Sequence, residues 1–73
     1  MIIHIKAQFS GEFRAIKQVD DSVSANEIFG TIFRGGVFND QTTSDAGTIT
    51  FIHPDHRQVS IGDLICSVDN ESI

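Results

Sequence analysis

Between Val23 and Gly36 the chain carries the local signal that most restricts what it can fold into. Ser24 followed three residues later by Glu27 has the spacing of a capping box. There the hydroxyl accepts from one free amide of a first helical turn and the carboxylate reaches back to another. Val23 before the cap and Ile28 at the fourth helical position have the spacing of a hydrophobic staple. Ala25, Ile28, Phe29, Ile32 and Phe33 recur at helical intervals and make one apolar stripe. Arg34 suits the negative end of a helix dipole, and Gly35-Gly36 suits a left-handed cap. The pattern predicts a capped helix over 23–36, with Gly30 packed closely against a strand.

The flanking segments read as strands. Ile3, Ile5, Ala7 and Phe9 alternate with His4, Lys6 and Gln8, the period of a half-buried strand over 2–9. Ser10-Gly11-Glu12 reads as a tight turn in which Gly11 takes a positive φ, and a second strand over 13–19 completes a hairpin. Asp20-Asp21-Ser22 is a turn. Residues 39–47 hold no large apolar side chain and many turn formers, so they read as an exposed loop. Thr48 to Ile52 is β-branched and aromatic, hence a strand, and Pro54-Asp55 turns the chain after it. Gln58 to Val68 is a further strand-forming run with a bend or bulge at Gly62-Asp63, followed by a turn at Asp69-Asn70. The resulting expectation is one α+β domain spanning 1–73, in the order β-β-α-β-β, with a mostly antiparallel sheet and the helix on one face. The β-grasp fold shares this order.

A chain of 73 residues makes one small domain, for which covering apolar surface with a second copy is a common remedy; a homodimer is therefore one expected form of association. Its 40% hydrophobic and 21% charged residues describe a folded chain, and six Phe without Trp or Tyr must supply the aromatic core. The lone Cys66 rules out an internal disulfide and points to a reducing, cytoplasmic setting. The apolar run at the N-terminus is too short for a membrane span.

Net charge is −5, and all of the excess lies after Val37, where six acids face Arg57 alone. Direct nucleic-acid binding needs clustered Lys and Arg and is not expected. A basic protein surface is the complementary partner. His53 and His56, in His-Pro-Asp-His, have the residue types of a zinc or nickel site if His4 or Asp55 joins them, yet Pro54-Asp55 is an ordinary turn that histidines often flank. Cys66 sits in an apolar strand, where cysteine behaves as a small hydrophobe rather than a nucleophile. Gly35-Gly36 follows the expected helix, whereas a phosphate-cradling loop precedes one. No cofactor and no catalytic constellation are expected.

Arg57 followed by Ser60, Gly62, Asp63, Leu64 and Ile65, with Asp69-Asn70 as the next turn, resembles a stretch of small YodL-like domains of phages and mobile elements. The resemblance implies a phage or mobile-element accessory protein acting against host defence. The expectation is thus a non-catalytic interaction module that binds and inhibits a host protein through Asp40, Asp45, His53, Asp55, His56 and Arg57. The other readings are a structural or regulatory homo-oligomer, an acidic nucleic-acid mimic, or a small metal-binding protein.

Overall fold

The computed structural model describes residues 1–70 and contains no helix among them. Eight strands follow one another: β1 (Ile2–Lys6), β2 (Gly11–Ala15), β3 (Ser22–Val23), β4 (Ile28–Arg34), β5 (Val37–Thr42), β6 (Gly47–Ile52), β7 (Arg57–Val59) and β8 (Leu64–Asp69). They form two four-stranded sheets of order β1-β8-β6-β3 and β5-β4-β2-β7, with antiparallel pairing throughout. The α+β class, the β-grasp comparison and the single packed helix are therefore corrected to an all-β fold of two sheets.

The helix expected over 23–36 is replaced by β3, a tight turn and the β4–β5 hairpin. The capping-box residues find partners in that turn instead. The Ser24 amide donates to the Glu27 carboxylate at 2.7 Å and the Glu27 amide to the Ser24 carbonyl at 3.1 Å. Asn26 sits between them at φ 67, the positive value that a type II turn asks of its third residue and that Asn tolerates. Gly35 and Gly36, at φ 59 and 81, form the two-residue turn joining Arg34 to Val37. Two successive positive φ values mark a type I′ hairpin, whose twist matches the flanking strands.

The helical spacing itself comes from a bulge. Ile28 pairs with Thr42 and Gly30 with Gln41, which leaves Phe29 as an extra residue on β4. Phe29 turns inward out of phase with the alternation, so the buried residues are Phe29, Gly30 and Ile32. A gap of three between two buried apolar residues imitates a helix period. Strand preference then decides, because Ile28, Phe29, Thr31, Ile32 and Phe33 are all β-branched or aromatic. A helix this short also depends on packing for its stability.

Two more expectations change. The hairpin over 2–19 is absent, because β1 pairs with β8 while β2 pairs with β4 and β7 in the other sheet. Residues 7–10 cross between the sheets, and Gly11 lies in β2, where a Cβ would collide with the Phe33 carbonyl. Of the loop expected at 39–47, Asn39 to Thr42 belong to β5. Their polarity is accommodated locally: buried Gln41 donates to the carbonyls of Asn39 and Asp40, and buried Thr43 donates its hydroxyl to the Ser24 carbonyl at 2.8 Å. The alternation of Ile3, Ile5, Ala7 and Phe9, the strand at Thr48–Ile52 and the bend at Gly62 (φ 92) are present as read.

The core fills the space between the sheets with Phe13, Phe29, Ile32 and Val59 from one and Val23, Ile49, Ile65, Cys66 and Val68 from the other, together with Ala7. The molecule is elongated, 41 × 17 × 17 Å. Met1 and Asn70 lie side by side at one end, their backbones exchanging hydrogen bonds of 3.2 and 2.8 Å. From there β1 runs to the opposite end, where Ala7 pairs with Gly62 and Asp63 and the chain passes into Gly11. Phe33 lies against Gly11 and Glu12, so the Gly35-Gly36 turn also belongs to that far end.

Near the first end, Lys17 Nζ meets Glu27 at 3.0 Å. The Ser24 amide, aided by Lys17, holds the Glu27 carboxyl below its ordinary value of 4.5. A depressed carboxyl stabilises the fold above its unfolded value, and that contribution is lost as pH falls through the folded one. Glu27→Gln is therefore expected to lower the melting temperature at neutral pH, and the difference should close below about pH 4.5. A gap that did not change with pH would show that the charge contributes nothing.

Candidate docking surface

Strands β2, β4 and β5 place Arg14, Phe33 and Phe38 together on the outer face of their sheet. Cross-strand pairing sets Phe33 opposite Phe38, with ring centroids 4.8 Å apart and planes tilted by 52°. Arg14 alternates to the same face, and its guanidinium lies 5.9 Å from the Phe33 centroid and 5.5 Å from that of Phe38. The guanidinium is within cation–π reach of both rings and makes one bond to Glu12 at 3.4 Å. Arg14 Nε is buried without a hydrogen-bond partner among the described residues. Around this group the surface is open: Phe38 is 54% exposed and Val37, beside the turn, 58%. An exposed aromatic beside an arginine is a composition enriched at protein-binding hot spots.

The residues expected to bind a partner are only partly brought together. Asp55, His56 and Arg57 form one surface group. Asp55 Oδ1 accepts from the Ala15 amide at 2.9 Å, and His56 stands between Asp55 and Glu12 at 3.4 Å from each. His56 takes φ 58 at the head of β7, and Arg57 pairs with Phe13. His53 turns inward instead, its ring edge-on to Phe13 at 5.8 Å. Asp40 lies on β5 beside Thr31, and Asp45 accepts from the Ser44 hydroxyl in the β5–β6 turn. His4 is bonded to Ser67 on β1 and β8. Among the described residues no three His, Cys, Asp or Glu side chains converge as a metal site.

Cys66 is fully buried in β8, and burial pushes its thiol up to about 11. The folded protein should therefore resist thiol reagents at neutral pH and react only as fast as it opens. Rapid stoichiometric labelling of native protein would contradict the packing. An open cleft of about 360 Å³ is lined by Ser22, Ala46, Gly47, Thr48, Asp69 and Asn70. It holds a single ionisable group, too few for acid–base work. No helix among the described residues is long and apolar enough to cross a membrane.

No family model matches the chain, and no curated protein does. Twenty-two chains of known structure are similar in fold. One is the urea carboxylase of Kluyveromyces lactis, with a TM-score of 0.86 and 20% identity over 94% of this chain. The match spans 6% of the carboxylase chain, so the likeness is to one small part of a large enzyme. At that identity it establishes the two-sheet fold and nothing of activity. It is a likeness to part of a yeast enzyme rather than to anything from a phage, so the phage and mobile-element source is withdrawn as a description of this chain. The resemblance of residues 57–65 to YodL-like domains is untouched by the match.

Proposed function

We propose that this chain is a non-catalytic protein-docking domain whose working surface is the tip of the β4–β5 hairpin. The observation that carries the reading is exposed Phe38 set against half-buried Phe33, with the Arg14 guanidinium over both rings, at the end of the molecule away from residues 1 and 70. The buried, unpaired thiol of Cys66 fits a reducing compartment, and the cytoplasm is the proposed setting.

The test is capture from an extract of the native source on protein immobilised through its N-terminus. A stoichiometric partner retained by the wild type and lost with Phe38→Ser is the expected result. A partner held equally by both, or none at all, overturns the reading. Sedimentation of the free protein separates it from a homo-oligomer, whose apparent mass would rise with concentration.

A likeness to part of a carboxylase raises a second reading, a carrier of an activated group such as biotin. A carrier needs a free nucleophile, ordinarily a lysine amine, on a projecting turn. The lysines are Lys6 and Lys17. Lys17 is held by Glu27, Lys6 lies within β1, and the β4–β5 tip offers Arg34, which stays protonated and is no acyl acceptor. The residues at that tip do not fit such a group.

A further inference from the structure

We infer that β5 pairs antiparallel with β5 of a second copy, setting Phe38 of each opposite Asp40 of the other. The inference goes beyond the docking role proposed above, which concerns a different chain on the tip. Each sheet leaves two edge strands, and they are not equally protected. β3 and β7 are two and three residues long, and β1 carries Lys6 with a break in register beside it. Short strands, lysines and bulges are the devices that keep an edge from pairing. β5 is six residues long with no proline or lysine, and Val37, Phe38, Asp40 and Thr42 along it are exposed. Its free side is set by the hairpin. A two-residue turn makes Arg34 and Val37 a hydrogen-bonded pair, so Val37, Asn39 and Gln41 turn their backbone groups to β4. Phe38, Asp40 and Thr42 turn theirs outward, where no backbone partner meets them among the described residues.

That phase admits few registers. With Asp40 opposite its own counterpart, two carboxylates face each other, which is destabilising. With Phe38 opposite its counterpart, only one hydrogen-bonded pair forms before the turn intervenes. Centred on Asn39, the ladder gains two such pairs, Phe38 with Asp40 of the second copy and the reverse. Directly opposed residues share a face, so the outer faces of the two copies become continuous. Charge fits this register. Asp40 and Arg14 lie on one row of the outer face, kept apart by Thr31 between them. Asp40 has no cation within salt-bridge distance among the described residues. Arg14 spends one N–H on Glu12, and its guanidinium leans over Phe33 to within 5.5 Å of the Phe38 centroid. Asp40 of the second copy arrives beside that same ring from across the seam. Glu12, Asp55 and Arg57 lie toward β7, away from it. A surface that holds both signs in this order complements a copy of itself.

The experiment is amide NMR of isotope-labelled protein over a concentration series, for the wild type and for two charge-reversed variants alone and mixed. In the wild type, shifts should grow with concentration at Phe38 and Asp40. A half-labelled sample should show contacts between Phe38 of one copy and Asp40 of the other. Asp40→Arg and Arg14→Asp should each weaken pairing about tenfold, because like charges then face each other on both sides of the seam. Mixed in equal amounts, the two variants should pair again, since both contacts become attractive in the mixed pair. Asp40 is exposed, so Asp40→Arg should remain folded and, with the half-labelled contacts, tests the register even if Arg14→Asp does not fold. Concentration-independent spectra, shifts centred on β1 or elsewhere, or a mixture of folded variants no better than its components would each overturn the inference. A different chain captured through Phe38 by a protein that never self-pairs leaves the docking role standing and removes the second copy. Self-pairing in this register with no captured partner does the reverse.

Discussion

Phe13→Ala is expected to remove a large share of this domain's stability. Phe13 is fully buried in the centre of β2, its ring 6.3 Å from Phe29 and 5.8 Å from His53. Truncating a buried Phe removes its transfer free energy and opens a cavity, a loss of about 3–5 kcal/mol. A domain of this length has a total stability of roughly 4–11 kcal/mol, at ~0.05–0.15 kcal/mol per residue. With a urea dependence of about 1 kcal/mol per molar, the midpoint should fall by roughly 3–5 M. The chain has no Trp or Tyr, so far-UV circular dichroism is the natural readout. It should show a single strand minimum that is lost at lower urea concentration in the variant. A midpoint shift of less than about 1 M would mean that Phe13 is not the centre of the core.

The sequence reveals strands wherever their alternation runs without a break. Ile3, Ile5 and Ala7 turn toward the core as the period of two requires, and β6 lies where β-branched and aromatic residues cluster. It misleads where a bulge resets the phase. One extra residue at Phe29 converts the alternation of β4 into a helix-like spacing, and the turn at Ser24–Glu27 satisfies the same side chains a capping box would use. Pairing across the sandwich is harder still. That β1 pairs with β8, 60 residues on, follows from closing both sheets over one core, and no local pattern announces it. The candidate surface had a readable sign. Gly35-Gly36 flanked by Phe33-Arg34 and Val37-Phe38 is a two-residue hairpin signature. Once that segment is read as a helix, Phe33 belongs to a buried stripe and Phe38 to the start of a loop. Arg14 joins them only through strand register, which a single sequence does not supply.

Gly30→Ala is the second large effect, and its cause can be isolated. A Cβ at Gly30 would stand 2.7 Å from Phe13 Cζ, 2.8 Å from Phe13 Cε1 and 2.9 Å from the Arg14 carbonyl. No real Cβ sits so close, and the Phe13 ring is enclosed by the core and cannot swing away. Overpacking of this kind costs about 1–3 kcal/mol, against a gain of under about 1 kcal/mol from relieving glycine's entropy in a strand. Phe13→Leu alone is expected to destabilise as well, by vacating the atoms that the new methyl group strikes. Combined, the two substitutions should cost less than the sum of the singles by about 0.5–3 kcal/mol, a coupling characteristic of residues in direct contact. Urea unfolding of the four proteins measures it. Strict additivity would place the strain at the Arg14 carbonyl instead, and stabilisation by Gly30→Ala alone would mean that β2 and β4 do not approach as closely as their register requires.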